Sequence, residues 1–221
     1  MANIEGSGLT SQRARDRLVK TLREKGVENE EVLGAIRTVP RHLFISTGLA
    51  GRAYEDTALP IDAGQTISQP YTVARMTELV LENGPVSRVL EVGTGSGYQC
   101  AILAELVDRV YSVERIEPLF KQAHRRLLSD LRYRNIRLRY TDGSWGWAES
   151  APYEVIIVTA APDHIPQVLL QQLAERGRMI IPVGKTGQEQ RLLRVTRNGD
   201  QFHEEEIETV QFVPMLSGQI K

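Results

Sequence analysis

The residues with the clearest chemical content are Val89-Leu90-Glu91-Val92-Gly93-Thr94-Gly95-Ser96-Gly97-Tyr98, a short apolar run that breaks into alternating glycines and leads into a helical pattern. A strand entering a glycine turn and then a helix brings backbone N–H donors and a positive dipole end to one point. Gly93 and Gly95 remove side chains where a ligand needs room. Glu114 closes the next apolar run 21 residues after Gly93, where an acid can accept both ribose hydroxyls. Asp142-Gly143 closes the run after that and offers another acceptor at the same edge. A dinucleotide fingerprint wants a third glycine where this chain has Tyr98, so a pyrophosphate would lack its close helix approach. Glu91 opposes a diphosphate but suits the ammonium of an amino-acid moiety. Together these favour S-adenosylmethionine over NAD. The competing reading is structural: a tight strand-to-helix turn, with each acid a turn residue.

Other reactive side chains are sparse. Ser68 precedes Gln69-Pro70 and reads equally as a reactive hydroxyl and as a cap or Ser-turn for the helix after Pro70. His42 and His164 sit beside proline-containing turns and read as hydrogen-bonded structural residues. Cys100, on the helix after the glycine turn, reads as buried filler. Trp145 and Trp147 read equally as an adenine wall and as a loop or core anchor. Four histidines and one cysteine leave little for a metal site, and none is expected.

The elements that must position these residues fall into two parts. Residues 1–84 form a helical extension: a helix from Ser11 or Thr10 to Lys25 ended by Gly26, a second capped by Asn29 and stopped by Pro40, and a third around Val73, Met76, Leu79 and Val80. Between them, residues 46–70 have no sustained period, the mark of a binding loop or lid. Residues 85–221 alternate. Strands are expected at 86–92, 109–114, 136–140, 155–159, 179–183, 192–196 and 207–213, and helices at 98–106, 119–131 and 165–173. The first strands, joined by helices, demand a mostly parallel sheet covered on both faces. Asn198-Gly199 between the sixth and seventh signals a hairpin and an antiparallel end. The expectation is one three-layer α/β domain with a seven-stranded sheet.

Composition sets the outer limits. The chain has 221 residues, 41% hydrophobic, with a formal charge of -1. That is an ordinary globular composition with no global basic field for nucleic acid or anionic membrane. Two basic stretches, 13–25 and 115–139, interleave with apolar residues and read as solvated helix faces; the run 200–208 carries five acids and no Lys or Arg and reads as a loop entering an edge strand. One cysteine, no apolar 18-residue run and no leader pattern predict a cytoplasmic protein. An RNA or small-molecule methyltransferase on the same sheet and a non-catalytic nucleotide-binding protein remain alternatives.

Several further segments carry a resemblance: Val39-Pro40-Arg41-His42-Leu43-Phe44, Tyr54-Glu55-Asp56, Ala58-Leu59-Pro60-Ile61, Gly64-Gln65-Thr66-Ile67-Ser68-Gln69-Pro70, Thr159-Ala160-Ala161-Pro162 and Gly177 through Gly184. With the glycine turn and Asp142-Gly143, the chain resembles bacterial protein-L-isoaspartate (D-aspartate) O-methyltransferases over essentially its whole length. The resemblance implies a seven-stranded methyltransferase sheet with this family's variant order of last strands. It implies methyl transfer from S-adenosylmethionine, leaving S-adenosylhomocysteine, to the free α-carboxylate of isoaspartyl residues or the side-chain carboxylate of D-aspartyl residues in damaged proteins. The ester then closes to a succinimide, so that repeated rounds repair the chain. By motif, Gln65, Thr66, Ile67, Glu91, Gly93, Thr94, Gly95, Glu114, Asp142, Gly143 and Thr159 match cofactor positions. Ser68 matches the active-site serine, and Ile67, Ser68, Val213 and Pro214 match substrate positions. No nucleic-acid or membrane partner is expected, and the chain is expected to act as a monomer.

Overall fold

The computed structural model describes residues 6–221, so the first five residues of the extension lie outside the described residues. α1 (Gln12–Glu24) and α2 (Glu30–Thr38) form as the capping signals require: the Asn29 side chain accepts from Glu31 N–H and Val32 N–H at 2.9 and 3.1 Å, and Gly26 takes a left-handed φ of 94°. The irregular segment that follows contains a miniature hairpin of β1 (Leu59–Pro60) and β2 (Thr66–Ile67), and delivers the chain to α3 (Pro70–Leu81).

The alternating half runs β3 (Arg88–Val92), α4 (Tyr98–Ala104), β4 (Arg109–Glu114), α5 (Glu117–His124), β5 (Ile136–Tyr140), β6 (Tyr153–Val158), α6 (Gln167–Leu170), β7 (Leu173–Val183), β8 (Gln190–Asn198) and β9 (Gln201–Val210). Seven strands form one sheet in the order β5-β4-β3-β6-β7-β8-β9; pairs from β5 to β7 are parallel, and β7-β8 and β8-β9 are antiparallel. The parallel strands are buried on both faces, which is why they read as continuous apolar runs. One face shares a single core with the extension: Leu18, Leu22, Val32, Ile36 and Val80 pack in the same cluster as Val89, Val110 and Ile157.

The opposite face departs from expectation. The helix predicted over 165–173 is the single turn α6, because β7 begins at Leu173. Cover comes from Leu169 and Leu170 of that turn together with aromatic packing: the Tyr111 ring meets Trp147 edge-on at 5.4 Å and Tyr153 at 5.7 Å. Trp147 is therefore a core anchor, and Trp145 is 62% exposed. The hairpin is present with Gly199-Asp200 as its two loop residues, one position later than Asn198-Gly199, and the acidic run is the edge strand β9 itself. Acids along an edge discourage pairing with another chain. Among the described residues no helix is long and apolar enough to cross a membrane.

Candidate active site

Strand order reverses between β3 and β6, the place where open α/β sheets form a ligand crevice at their carboxyl ends. A crevice of about 920 Å³, partly open to solvent, lies there. Gly93, Thr94 and Gly95 after β3, Glu114 at the end of β4, Gly143 after β5 and Thr159 after β6 line it. The extension adds Gln65, Thr66, Ile67 and Ser68, and the chain beyond β9 adds Val213 and Pro214. Residues spread over 150 positions of sequence are thus brought to one sheet edge.

The glycine turn is held from several sides. Gly93 has a φ of 102°, and a Cβ there would lie 2.5 Å from Thr159 Oγ1, so both backbone conformation and space demand glycine. The Thr159 hydroxyl stands against the turn, 2.7 Å from the Gly93 carbonyl and 3.1 Å from that of Val92. A Cβ on Gly143 would meet Val92 Cγ1 at 2.7 Å. Glu114 accepts from Gly95 N–H at 2.8 Å through one oxygen and from Ile116 N–H at 2.9 Å through the other. Each carboxylate oxygen keeps a further lone pair for a ligand hydroxyl. Burial pushes the Glu114 carboxyl above the usual range against those backbone donors.

Two expected cofactor residues do not reach the crevice. Glu91 is fully buried between β3 and α4, because alternate strand residues point to opposite faces and Glu91 shares the α4 side with Val89. It accepts from the Ser112 hydroxyl, which stands 2.6 Å from the Thr94 hydroxyl, so Glu91 touches the turn only through that chain. Its Oε1 has no hydrogen-bond partner among the described residues. Burial pushes its carboxyl up to about 8, with the Ser112 hydroxyl and the nearby Cys100 thiol opposing and the Glu114 charge adding to the rise. Glu91 is not among the residues that line the crevice. Asp142 is also buried: Oδ1 accepts from Ser144 N–H and hydroxyl at 2.9 and 2.7 Å, and Oδ2 from Gly218 N–H at 2.5 Å. Burial raises its carboxyl, but the Gly218 and Ser144 donors outweigh that and hold it below the usual range. Gly143, not Asp142, faces the crevice.

Ser68 does not cap α3. The first free N–H of α3, on Tyr71, donates to Asp56 Oδ1 at 2.8 Å, and Asp56 also binds Gln69 Nε2 at 3.1 Å and Lys25 Nζ at 2.6 Å. The Ser68 hydroxyl makes no cap and has no partner among the described residues. It faces the crevice and also a groove of about 1510 Å³, open to solvent, between the extension and the end of β9. Thr66, Ser68, Thr159 and Val213 line both spaces and mark where they meet.

Further contacts around the site depend on tertiary partners. The tail after β9 crosses the carboxyl edge of the sheet: Met215 N–H donates to Ala161 O, and Ile220 N–H to Arg115 O, both at 2.8 Å, which brings Met215 and Leu216 into the crevice wall. Arg126, read as part of a solvated face, donates to the Ser96 carbonyl of the turn at 2.7 Å with its guanidinium over the Phe44 ring. Tyr98 is buried beneath Arg41 and edge-on to Phe44. Asp56 had a signal, since an acid 14 residues before a Pro-initiated helix can fold back to cap it, but the pairing is tertiary. His42 Nδ1 lies 2.8 Å from the Tyr54 hydroxyl, as a structural histidine should.

This sheet order and crevice define a methyltransferase-type α/β protein. The family model for protein-L-isoaspartate(D-aspartate) O-methyltransferase matches residues 12–220, and the chain belongs to that family. It is 57% identical over 218 residues to the protein-L-isoaspartate O-methyltransferase of Halorhodospira halophila, covering 99% of this chain and 98% of the relative. It is 55% identical over 212 residues to that of Pseudomonas paraeruginosa, covering 96% and 100%. A solved protein-L-isoaspartate O-methyltransferase superposes with a TM-score of 0.82 at 27% identity, over 93% of this chain and 67% of the other. A Plasmodium falciparum structure with S-adenosyl-L-homocysteine, described as a protein-L-isoaspartate O-methyltransferase, shares the fold, with a TM-score of 0.79 at 24% identity over 91% and 98%.

Proposed function

We infer that this chain methylates the free α-carboxylate of L-isoaspartyl residues, and the side-chain carboxylate of D-aspartyl residues, in damaged proteins and peptides, and so initiates repair through a succinimide. The observation that carries this reading is the meeting of crevice and groove at Thr66, Ser68, Thr159 and Val213. A cofactor in one and a peptide in the other come within reach there.

The crevice fits S-adenosylmethionine. Gly93 clears space against Thr159, the Glu114 carboxylate keeps lone pairs for ribose hydroxyls, and Tyr98 stands where a dinucleotide site would have glycine. Gln65, Thr66, Ile67, Thr94, Gly95 and Gly143 complete the candidate cofactor wall. Bound there, S-adenosylmethionine supplies a methyl group made electrophilic by the adjoining sulfonium. No group of three or more His, Cys, Asp or Glu able to hold a metal occurs among the described residues.

The protein's remaining task is alignment. An isoaspartyl α-carboxylate titrates near about 4 and is ionised at neutral pH, so no strong base is required. Ser68, with its hydroxyl unengaged, orients that carboxylate, and Ile67, Val213 and Pro214 hold the peptide beside it. Positioning of this kind contributes roughly 7 to 11 kcal/mol in favourable systems. We place the protein in the cytoplasm, as a monomer whose extension and sheet work as one domain: Cys100 is buried and free, and both parts share one core. Methyl transfer to an isoaspartyl peptide tests the function; ester formation that follows the isoaspartyl linkage supports it, and labelling of RNA in its place would favour the nucleic-acid alternative.

A further inference from the structure

The groove that meets the crevice at Ser68 is unevenly charged. Glu189 and Glu208 are its only charged lining residues, and neither carboxylate has a hydrogen bond or ion pair among the described residues. Their neighbours differ: Glu205 and Glu206 on β9 are held by Arg194 and Arg191 of β8. The register explains the difference. Glu206 pairs with Leu193 and Glu208 with Leu192, so Ile207 is an extra residue in β9. In a regular strand Glu206 and Glu208 would share a face; the bulge divides them. Leu192 belongs to the core beneath the extension and Leu193 to the opposite core, which places Glu208 on the α3 side, where Tyr71 also lines the groove. Arg75 on that side is ion-paired with Glu78 and attracts Glu208 only at longer range, without a direct contact. Glu189 precedes Gln190, whose side chain clamps the Phe212 backbone by accepting its N–H at 2.6 Å and donating to its carbonyl at 3.1 Å. Glu189, exposed, thereby lies beside the segment leading to Val213.

A substrate that reacts through a carboxylate carries a negative charge into a groove that already holds two. We propose that Glu189 and Glu208 make the groove select isoaspartyl peptides by flanking charge, favouring Lys or Arg near the damaged site and rejecting Asp or Glu. The inference rests on the methyl-transfer reading above. Glu208 lies five residues before Val213, roughly 16 Å of extended chain, so flanks about five residues from the reacting site come within range. An exposed opposite-charge pair is worth about 1.4- to 5-fold in an equilibrium. Exchanging two attractive flanks for two repulsive ones therefore changes kcat/KM by about 10-fold. The change belongs in KM, because these contacts are the same before and during transfer.

The test compares three isoaspartyl peptides of one length, with Lys, Gln or Glu at the flanks, on the parent and on the Glu189→Gln/Glu208→Gln double variant. The expected result is a Lys-over-Glu ratio of about 10 in kcat/KM at low ionic strength, carried by KM, shrinking as salt is added and collapsing toward 1 in the double variant. The ratio is read within one preparation, so partial loss of folded variant does not affect it. Equal KM values for Lys and Glu peptides on the parent, or a ratio that survives in the variant, would overturn the proposal. Failure to methylate even the Gln-flanked peptide would instead strike the methyl-transfer reading on which it rests.

Discussion

Glu91→Gln isolates an acid that is fully buried with no cation beside it among the described residues. Ser112 and Glu114 on β4, Cys100 on α4 and Ile157 on β6 are the neighbours that face it, and none carries positive charge. Its carboxyl, with an ordinary value of 4.5, is pushed up to about 8. Above pH 4.5 the unfolded chain ionises this group while the folded chain keeps it protonated, so the unfolded state binds fewer protons and stability falls as pH rises. The loss is about 1.4 kcal/mol per pH unit and ends near pH 8, where the folded carboxyl also ionises. Between pH 5 and pH 8 the parent should therefore lose up to about 4 kcal/mol through this one residue. Gln has the same shape, keeps an oxygen to accept from Ser112 and has no charge to lose. Urea melts from pH 5 to pH 8.5 should show the two proteins nearly equal at pH 5 and the variant progressively more stable above it. Glu91→Ala supplies the contrast: it leaves the Ser112 hydroxyl without its acceptor and opens a cavity, so it should be destabilised at every pH. Parallel pH profiles for parent and Gln variant would refute the reasoning, since they would mean that Glu91 is ionised in the folded protein throughout.

Ser68→Ala should leave cofactor affinity and stability nearly unchanged, because its hydroxyl caps nothing, and should slow single-turnover transfer by about 1 to 3 kcal/mol in barrier terms. Normal transfer in a destabilised protein would instead make Ser68 a cap. Glu114→Ala should weaken S-adenosylhomocysteine binding by roughly 1.5 to 3 kcal/mol in calorimetric titration, with the fold retained; parental affinity would assign Glu114 to holding Gly95 and Ile116 alone.

Much of this architecture can be read from residue types because local chemistry dictates it. Asn29 caps α2, Gly93 must be glycine, and apolar runs separated by helices become parallel strands. Other features are set by partners far along the chain. Nothing near Asp142 says that Gly218 will occupy its carboxylate, and the tail that carries Gly218 is held by backbone hydrogen bonds that any sequence can make together with the distant Arg115 and Tyr140 side chains. The burial of Glu91 away from the crevice is hidden for a different reason: a buried strand is apolar on both faces, so its residue types do not reveal which face meets the crevice. Arg126 looked solvated because its neighbours are basic, yet its guanidinium supports the glycine turn. The residues around Ser68 leave both of its readings open; that it does not cap α3 follows only from Asp56, which accepts the Tyr71 N–H from 15 residues away.

The most direct measurement is methyl transfer to two peptides that differ only in one linkage, isoaspartyl in one and normal aspartyl in the other, under saturating S-adenosylmethionine. The label should enter the isoaspartyl peptide and be released as methanol by mild base, as a carboxyl ester requires, while the normal twin stays unlabelled. Equal labelling of the twins, or label that resists base, would contradict the assignment.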